Sequence, residues 1–534
     1  MKLERISEYL MITVVTILGA TLAVVFGQLA SRNPFQTVSI ILGGGAALSI
    51  ALFMRARIWL LIPLFWPMTG QLAGMGSLPV RNLVIGYVFA VFLALKALKV
   101  VRSKPEYRLL DYLLLANLAY IATLYIRNPV GVAAFGTELA GGRPYFDILC
   151  AAIAYWIIGH MTVSPVLARK FPLLVLAGDF LQGFFNFITF HFPSTALYIS
   201  KIYTGISPET FNDPTADTET IREGYLGSIG GNIMRVLFAY FPPVSLLNPF
   251  CIGRFFCFFI SIVFVLKSGF RGVFVSSIFI FFLSAYFRRG VRDIALLLIF
   301  GGSILVCIIS FQGTLFDLPI PMQRTLSFLP GNWDQKAIVS AQGSSEWRFE
   351  MWDIVMRSNK YISNWWLGDG FAISRTQLRE AENYADTPGK DEFRESLMIA
   401  GDFHSGALTT IKVAGYIGLS LMIALMGAGA TLGWRLIYRC RGTPFFAIAL
   451  FEGCYAVYFP FRYFFIFGSY KVDFPVLVYY IAILTLVDRS LKLWLARRPD
   501  ARADATSENF NQLADNRPEG SSSSRSSHFC HPTP

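Results

Sequence analysis

Two arginines lie in surroundings that suit phosphate binding. Arg271 belongs to GFRG at residues 269–272, where glycines close by on both sides let a ligand approach the backbone. Arg348 belongs to WRFEMW at residues 347–352. A guanidinium holds phosphate through two hydrogen bonds and stays charged at every physiological pH. For Arg271 an alternative stays open, namely an arginine at a helix end whose charge reaches toward lipid headgroups.

One histidine has a position that suits a catalytic base. His404 is one of five histidines in the chain and lies in GDFHSG at residues 401–406, where a long polar segment gives way to an apolar one. Imidazole exchanges a proton near neutral pH, so it can take a proton from an attacking hydroxyl. A single histidine in a loop is also commonly structural or solvated, and that alternative stays open.

The stretch from Ser344 to Phe371 is rich in tryptophan and in charges of both signs. Ser345 can cap a helix that begins there, and Arg348 and Trp352 then share one helix face. A break is expected around Asn359, followed by a Gly-Asp-Gly turn. The alternative is an interfacial helix that rests on lipid and is anchored by its tryptophans.

The composition indicates a membrane protein. The chain has 534 residues, of which 54% are hydrophobic and only 15% are charged. A soluble protein carries about 25% charged residues. The net charge of +12 therefore points to basic cytoplasmic loops rather than to nucleic acid. The seven cysteines include no CxxC spacing, which argues against a disulfide framework or a zinc site.

Apolar windows of about 20 residues predict an all-α, polytopic membrane helical bundle with about fourteen transmembrane helices. The predicted spans are 10–29, 36–54, 58–75, 82–98, 109–126, 146–160, 171–190, 232–248, 254–267, 271–287, 293–311, 405–433, 444–466 and 472–488. The span at 58–75 and the span at 232–248 are the weakest, because proline or glycine interrupts each of them. We find no internal repeat of fixed period.

The distribution of lysine and arginine predicts the orientation. With the N-terminus in the cytoplasm, the basic clusters fall on the inner loops, and an even number of spans returns the C-terminus to the cytoplasm. This predicts N-terminal transmembrane helices over 1–190, a periplasmic loop over 191–231 and central transmembrane helices over 232–311. A large periplasmic catalytic loop with amphipathic helices follows over 312–403, then C-terminal transmembrane helices over 404–490. The segment 491–534 is expected to be a basic, disordered cytoplasmic tail.

The order of these motifs resembles that of the O-antigen ligase and O-antigen polymerase superfamily. The residues that carry the resemblance are GFRG at 269–272, PMQRTLSFLPG at 321–331, WRFEMW at 347–352, LGDGF at 367–371 and FHSGALTTIKVAGYIGL at 403–419. The resemblance covers residues 270–433. The chain departs from the family at Ser405, since family members commonly have asparagine directly after the histidine.

The resemblance implies an integral membrane glycosyltransferase that is inverting and independent of metal, with no cofactor. Its donor would be a glycan on undecaprenyl pyrophosphate, used at the periplasmic face of the bacterial inner membrane. Its acceptor would be another lipid-linked glycan for a polymerase, a lipid A core for a ligase, or a protein. The polymerase of an O-antigen or exopolysaccharide is our preferred interpretation, and the acceptor stays open.

The resemblance also assigns roles to individual residues. Arg271 and Arg348 would bind the pyrophosphate, and His404 would act as the base or orient the acceptor. Trp352 would pack beside a sugar or, as we prefer, against its own helix. Gly368 and Gly370 would shape a loop that binds the substrate.

Two other classes of protein compete with this interpretation. A flippase for lipid-linked oligosaccharides also has about fourteen spans, but it is expected to show two repeated halves. The sequence shows no such repeat, and a flippase would have no evident use for the long outer loop. A membrane sensor or scaffold is expected to have a recognisable soluble domain, and the sequence predicts none.

Overall fold

The structure is a computed structural model that describes residues 34–72, 78–101, 108–129, 142–200, 203–204, 222–372, 375–386 and 390–497. The predicted span at 10–29 and most of the predicted tail lie outside these residues. Helices contain 79% of the described residues, which confirms the all-α prediction. A two-stranded antiparallel sheet pairs β1 (Gln71–Leu72) with β2 (Tyr203–Thr204).

The helices have the following bounds, in chain order. They are α1 (Pro34–Met54), a 3₁₀ helix (Arg55–Leu60), α2 (Leu61–Phe65), α3 (Val80–Ala97), α4 (Leu109–Arg127), α5 (Arg143–Gly159), α6 (Pro165–His191), α7 (Pro193–Ile199), α8 (Gly224–Tyr240), α9 (Pro243–Leu246), α10 (Ile252–Lys267), α11 (Arg271–Arg289), α12 (Val291–Phe311), α13 (Ile320–Leu326), α14 (Gln335–Arg357), α15 (Arg375–Asp386), α16 (Lys390–Ile399), α17 (Gly406–Arg439), α18 (Phe446–Phe461), a π-helix (Arg462–Ile466) and α19 (Tyr470–Ala496).

The chain divides into two compact units. Residues 1–61 and 86–102 form one unit, whose described part consists of α1, the 3₁₀ helix and most of α3. Residues 62–85 and 103–534 form the other unit, which contains all the residues of the candidate site described below.

Eight described helical segments are long and apolar enough to cross a membrane, which supports the membrane prediction. They are Gly44–Phe65, Val80–Ala97, Leu109–Arg127, Pro165–His191, Arg271–Arg289, Val291–Phe311, Gly406–Arg439 and Tyr470–Ala496. The count of fourteen is not confirmed. Four apolar helices that the sequence predicted as spans, α5, α8, α10 and α18, have only 16 or 17 residues. At 1.5 Å per residue they are about 24–26 Å long, less than the hydrocarbon thickness of about 30 Å.

The predicted span at 58–75 is also different in the structure. Its first residues continue from α1 through the 3₁₀ helix into α2, which ends at Phe65. The chain then leaves the helix and enters the short strand β1, because proline and glycine follow at Pro67 and Gly70.

Two hydrophobic clusters meet at α18. Phe459 packs in a cluster built from α4, α5, α17 and α19, while Tyr458 packs in a second cluster built from α8, α10, α11 and α17. Both side chains are fully buried. Because consecutive residues of α18 face both clusters, this helix fixes the position of α8 and α11 relative to α17 and α19.

The amphipathic helix of the long polar segment begins earlier than predicted. The sequence placed its start at Ser345, but α14 begins at Gln335, where the Asp334 carboxylate accepts a hydrogen bond from the Lys336 N–H at 2.7 Å. Aspartate is a strong helix cap, so the helix starts there and runs through the glycine and serines before Trp347. The predicted break is confirmed, since α14 ends at Arg357.

Candidate functional site

A cavity of about 670 Å³ opens between α8, α11, the segment of α13 and α14, the turn before α17, and the π-helix after α18. This volume lies within the range of about 300–1,000 Å³ that is usual for ligand sites. The walls formed by α8 and α11 carry small residues at helical spacing, among them Gly227, Gly231, Gly272 and Ser276. A side chain at Gly272 would come within 2.9 Å of Ile466, so the small residue lets the π-helix approach α11.

Four arginines converge on this cavity from four separate segments. Arg222 precedes α8, Arg271 begins α11, Arg324 lies in α13, and Arg348 lies in α14. We call these four residues the arginine end of the cavity. The sequence predicted two of them, and the structure places both beside two that it did not predict.

Backbone and hydroxyl oxygens orient the guanidinium groups. The Arg271 guanidinium donates to the Ala341 carbonyl at 2.7 Å and to the Ser345 hydroxyl at 3.1 Å. Arg324 donates to the Gly269 carbonyl at 3.3 Å. Ser345, predicted as a helix cap, therefore holds Arg271 instead. These contacts tie α11, α13 and α14 together around the cavity.

The charges of Arg271, Arg324 and Arg348 are not balanced by nearby carboxylates. Among the described residues, no aspartate or glutamate lines the cavity, and none comes within 4.0 Å of Arg271, Arg324 or Arg348. Burial, together with the charges of Arg222, Arg271 and Arg348, lowers the pKa of Arg324 to about 9. Burial and the neighbouring arginines also lower the pKa of Arg348.

Such a cluster is stabilised by an anion. Crowding and partial removal from water destabilise the charged forms of the arginines. A bound multivalent anion stabilises those charged forms again. The buried Nε atoms of Arg324 and Arg348 have no hydrogen-bond partner among the described residues. Arginine donors of this kind match phosphate oxygens in geometry and charge.

His404 lines the same cavity and has an unusual backbone conformation. Its φ angle is +51°, in the left-handed region that non-glycine residues seldom adopt. Its ring lies between Trp347 and Phe467, with ring centroids 5.6 Å and 5.1 Å away and both contacts edge-to-face. Strain of this kind, held in place by packing on both sides, is common where a side chain has to face a ligand.

An aspartate and a lysine support the His404 ring. The Nδ1 atom of His404 lies 3.3 Å from Oδ1 of Asp402, within ion-pair distance but without hydrogen-bond alignment. The Lys471 ammonium lies 3.4 Å from the other oxygen of Asp402. Burial acts to raise the pKa of Asp402, but His404 and Lys471 together hold it well below its usual range. Asp402 therefore stays ionised beside the imidazole, where it can stabilise a positive charge on the ring.

Ser405 has a capping role at the start of α17. It is the N-cap of this helix, and its hydroxyl accepts a hydrogen bond from the Leu408 N–H. Asparagine and serine are about equally good at this position. Ser405 therefore fixes the start of α17 directly after His404.

Trp352 does not line the cavity. Its indole N–H donates to the Phe403 carbonyl at 2.7 Å, and its ring packs in a buried cluster with Met351 and Phe403. In the structure, Trp352 therefore has a packing position, as preferred from the sequence. By holding the Phe403 carbonyl, Trp352 fixes the residue directly before His404.

Gly368 and Gly370 also lie away from the cavity. The N–H groups of Asp369 and Gly370 donate to the carbonyls of Lys412 and Val413 at 2.8 Å and 2.9 Å. The sequence predicted one transmembrane span over 405–433, which includes this region of α17. The structure instead breaks α17 at Gly415, whose φ is +65°.

The break in α17 and the glycine loop explain each other. A side chain at Gly368 would overlap the backbone of Val413, and a side chain at Gly415 would overlap the Trp366 carbonyl. The loop therefore docks into the break and satisfies the carbonyls that the interrupted helix leaves free. The glycines of the loop and of α17 therefore allow the two backbones to approach each other closely.

Sequence reasoning missed several residues of the site. Arg324 lies inside PMQRTLSFLPG and Asp402 lies inside GDFHSG, so a signal was present in motifs already singled out. Arg222 and Lys471 come from segments without any motif, and only the fold brings them to the site. The π-helix, which supplies Arg462 to the cavity wall, also had no signal in the sequence.

Comparisons of the chain with protein-family models and with curated proteins find no match.

Proposed function

We propose that the protein is an integral membrane glycosyltransferase of the O-antigen polymerase or ligase type. It would act on glycans linked to undecaprenyl pyrophosphate at the periplasmic face of the bacterial inner membrane. The observation that carries the proposal is the convergence of four arginines beside His404 in one cavity, whose described lining includes no carboxylate. This combination suits a substrate with a concentrated negative charge and a hydroxyl group to be deprotonated.

The pyrophosphate of the donor is the group that suits the arginine end. When the bond between the anomeric carbon and pyrophosphate breaks, negative charge develops on the leaving oxygen. Fixed cations in a partly desolvated site stabilise such charge strongly, and they need no reorganisation at the moment of reaction. Arg271 and Arg348 bind the pyrophosphate in this proposal, and Arg324 and Arg222 add to the local positive charge.

His404 acts as the general base. The acceptor hydroxyl oxygen attacks the anomeric carbon from the side opposite the pyrophosphate, and its proton passes to the imidazole. The carbon–oxygen bond to pyrophosphate breaks, and the leaving group keeps the electron pair, so the anomeric configuration inverts. Asp402 stabilises the imidazolium that forms, and Lys471 keeps that carboxylate ionised.

From α3 onward, the distribution of basic residues supports the proposed orientation, with residues 312–403 in the periplasm and the C-terminus in the cytoplasm. In this orientation α13, α14, α15 and α16 belong to a periplasmic segment. The four helices of 16 or 17 residues complete the bundle as short spans, for which local thinning of the bilayer compensates. A cysteine placed in α14 would then react with a membrane-impermeant reagent added from the periplasmic side.

A reconstitution tests the proposal and separates its variants. Purified protein in lipid vesicles is mixed with a glycan on undecaprenyl pyrophosphate, first alone and then with candidate acceptors. Ladders from the donor alone indicate a polymerase, and transfer only to added lipid A core or protein indicates a ligase or an oligosaccharyltransferase. Movement of the donor across the bilayer without any transfer would contradict the proposal and favour the flippase.

A further inference from the structure

The cavity extends well beyond the arginine end. On α11 both Arg271 and Ile280 line it, and on α8 both Gly227 and Arg235 do. At 1.5 Å per residue these pairs are about 13 Å and 12 Å apart along their helices. A pyrophosphate held by the arginine end therefore leaves the far part of the cavity for another group. We call this far part the inner compartment, and define it by Asn232, Arg235, Ser277, Tyr455 and Tyr480.

The cations near the inner compartment are paired with carboxylates, whereas Arg271, Arg324 and Arg348 have none within 4.0 Å among the described residues. Arg235 lies 3.8 Å from the Glu452 carboxylate, and its guanidinium sits over the rings of Phe451 and Tyr455. Arg462, which also lines the cavity, lies 2.7 Å from the Asp473 carboxylate. A second anion in this place would compete with two buried carboxylates. The inner compartment therefore suits an uncharged group.

The inner compartment offers hydroxyl groups that the protein itself does not use. Among the described residues, no protein group forms a hydrogen bond with the hydroxyls of Ser277, Tyr455 or Tyr480. The rings of Tyr455 and Tyr480 stack on each other with centroids 4.4 Å apart. Hydroxyls both donate and accept, so they complement a ligand whose own groups do both. An isoprenoid tail would leave the three hydroxyls without hydrogen-bond partners, and burying an unpaired polar group costs free energy.

We propose that the inner compartment binds a neutral sugar ring of the glycan, while the arginine end binds the pyrophosphate. This inference rests on the proposed function and names a second subsite within the same cavity. The ring belongs either to the donor, next to its pyrophosphate, or to the acceptor. In both cases the chemistry is that of an uncharged, polyhydroxylated ring, and a uronic acid is disfavoured because Glu452 and Asp473 flank the site.

The test compares two lipids on the full-length protein in nanodiscs. The probes are undecaprenyl pyrophosphate without sugar and the same lipid bearing one neutral hexose. The variant Ser277→Ala/Tyr455→Phe/Tyr480→Phe removes the three hydroxyls and keeps both rings. The matched control is Tyr479→Phe, because Tyr479 is adjacent, buried and also without a hydrogen-bond partner, but does not line the cavity.

We expect the triple variant to weaken binding of the sugar-bearing lipid about tenfold or more and to leave binding of the bare lipid unchanged. The Tyr479→Phe control should bind both lipids as the parent does. Equal binding of the sugar-bearing lipid by the triple variant and the parent would overturn the inference. The inference would also be overturned if the parent protein bound both lipids with the same affinity and did not bind the soluble glycan.

A soluble neutral glycan added to protein preloaded with the bare lipid identifies the source of the ring. Binding that the triple variant loses would assign the compartment to the acceptor, and a preference seen only for the sugar-bearing lipid would assign it to the donor. Arg348→Ala keeps the two proposals distinguishable, since it should weaken binding of both lipids. If Arg348→Ala leaves both affinities unchanged, the pyrophosphate assignment fails whatever the triple variant does.

Discussion

The turn at residues 401–406 and the loop at residues 367–371 are built from the same residue types but occupy different places. Each contains glycine with positive φ, and each has an aspartate paired with a lysine. In the turn, Asp402 contacts the His404 ring, which lines the cavity. In the loop, Asp369 accepts hydrogen bonds from the backbone N–H groups of Ser363 and Asn364, both at 2.9 Å. The glycine pattern is therefore the same in the candidate site and in the structural loop. The two differ in the group that the aspartate contacts.

The strongest test of this contrast is the removal of the histidine. His404→Ala should lower the rate of glycan transfer by about 10²–10⁴-fold, because it removes the general base. His404→Asn is the companion variant, since asparagine tolerates positive φ better than alanine does. Both variants should accumulate in the membrane like the parent protein. A loss smaller than about tenfold at normal abundance would make His404 a structural residue, like those of the loop.

The arginines next to the turn should show the next largest effect. Arg348→Ala should lower transfer by about 10²–10³-fold, the usual effect of removing one group that stabilises developing negative charge. Arg271→Ala should behave in the same way. The matched control is Arg357→Ala on the same helix, whose exposed side chain pairs with Asp353 outside the cavity. Full activity of Arg348→Ala at normal abundance would refute its role in pyrophosphate binding.

The same substitution at the two aspartates compares the turn and the loop directly. Asp402→Asn should lower kcat about ten- to a hundredfold, because the imidazolium loses a charged partner, while the affinity for the donor stays unchanged. Asp369→Asn should instead lower the thermal stability and leave kcat of the folded protein unchanged. Steady-state kinetics and thermal unfolding in detergent measure both effects. If the two variants gave the same pattern, the contrast between turn and loop would be wrong.

The smallest effect on chemistry is expected at the glycine loop. Gly368→Ala forces a side chain into positive φ and against the Val413 backbone, so it should destabilise the fold by roughly 1–3 kcal/mol. The protein that still folds should keep the kcat of the parent. Measuring activity per folded molecule, with thermal unfolding as the stability readout, checks both statements. A large drop in kcat per folded molecule would place this loop in the substrate site after all.

Part of this architecture could be predicted from the sequence because it is encoded locally. Apolar windows identified most of the long helices, and the clustering of glycine, arginine and histidine singled out Arg271, Arg348 and His404, which line one cavity in the structure. Their roles in glycan transfer stay predictions, which the variants above test.

The rest depends on contacts between distant segments. The sequence around Gly415 does not show which segment packs against it, and the break there accommodates the glycine loop from residues 367–371. Lys471 reaches Asp402 only because α19 begins beside the turn. The predicted span count is not confirmed for a different reason, because a hydropathy window does not distinguish a helix of 16 residues from one of 20.

The products of a single transfer event test the central claim most directly. Purified protein in nanodiscs is given a donor of known anomeric configuration and its acceptor, and both the released lipid and the new glycosidic bond are analysed. The account predicts one undecaprenyl pyrophosphate released for each bond formed, with inversion at the anomeric carbon, and about 10²–10³-fold slower formation of both products by Arg348→Ala. Retention of configuration, or donor crossing the bilayer with no pyrophosphate released, would contradict it.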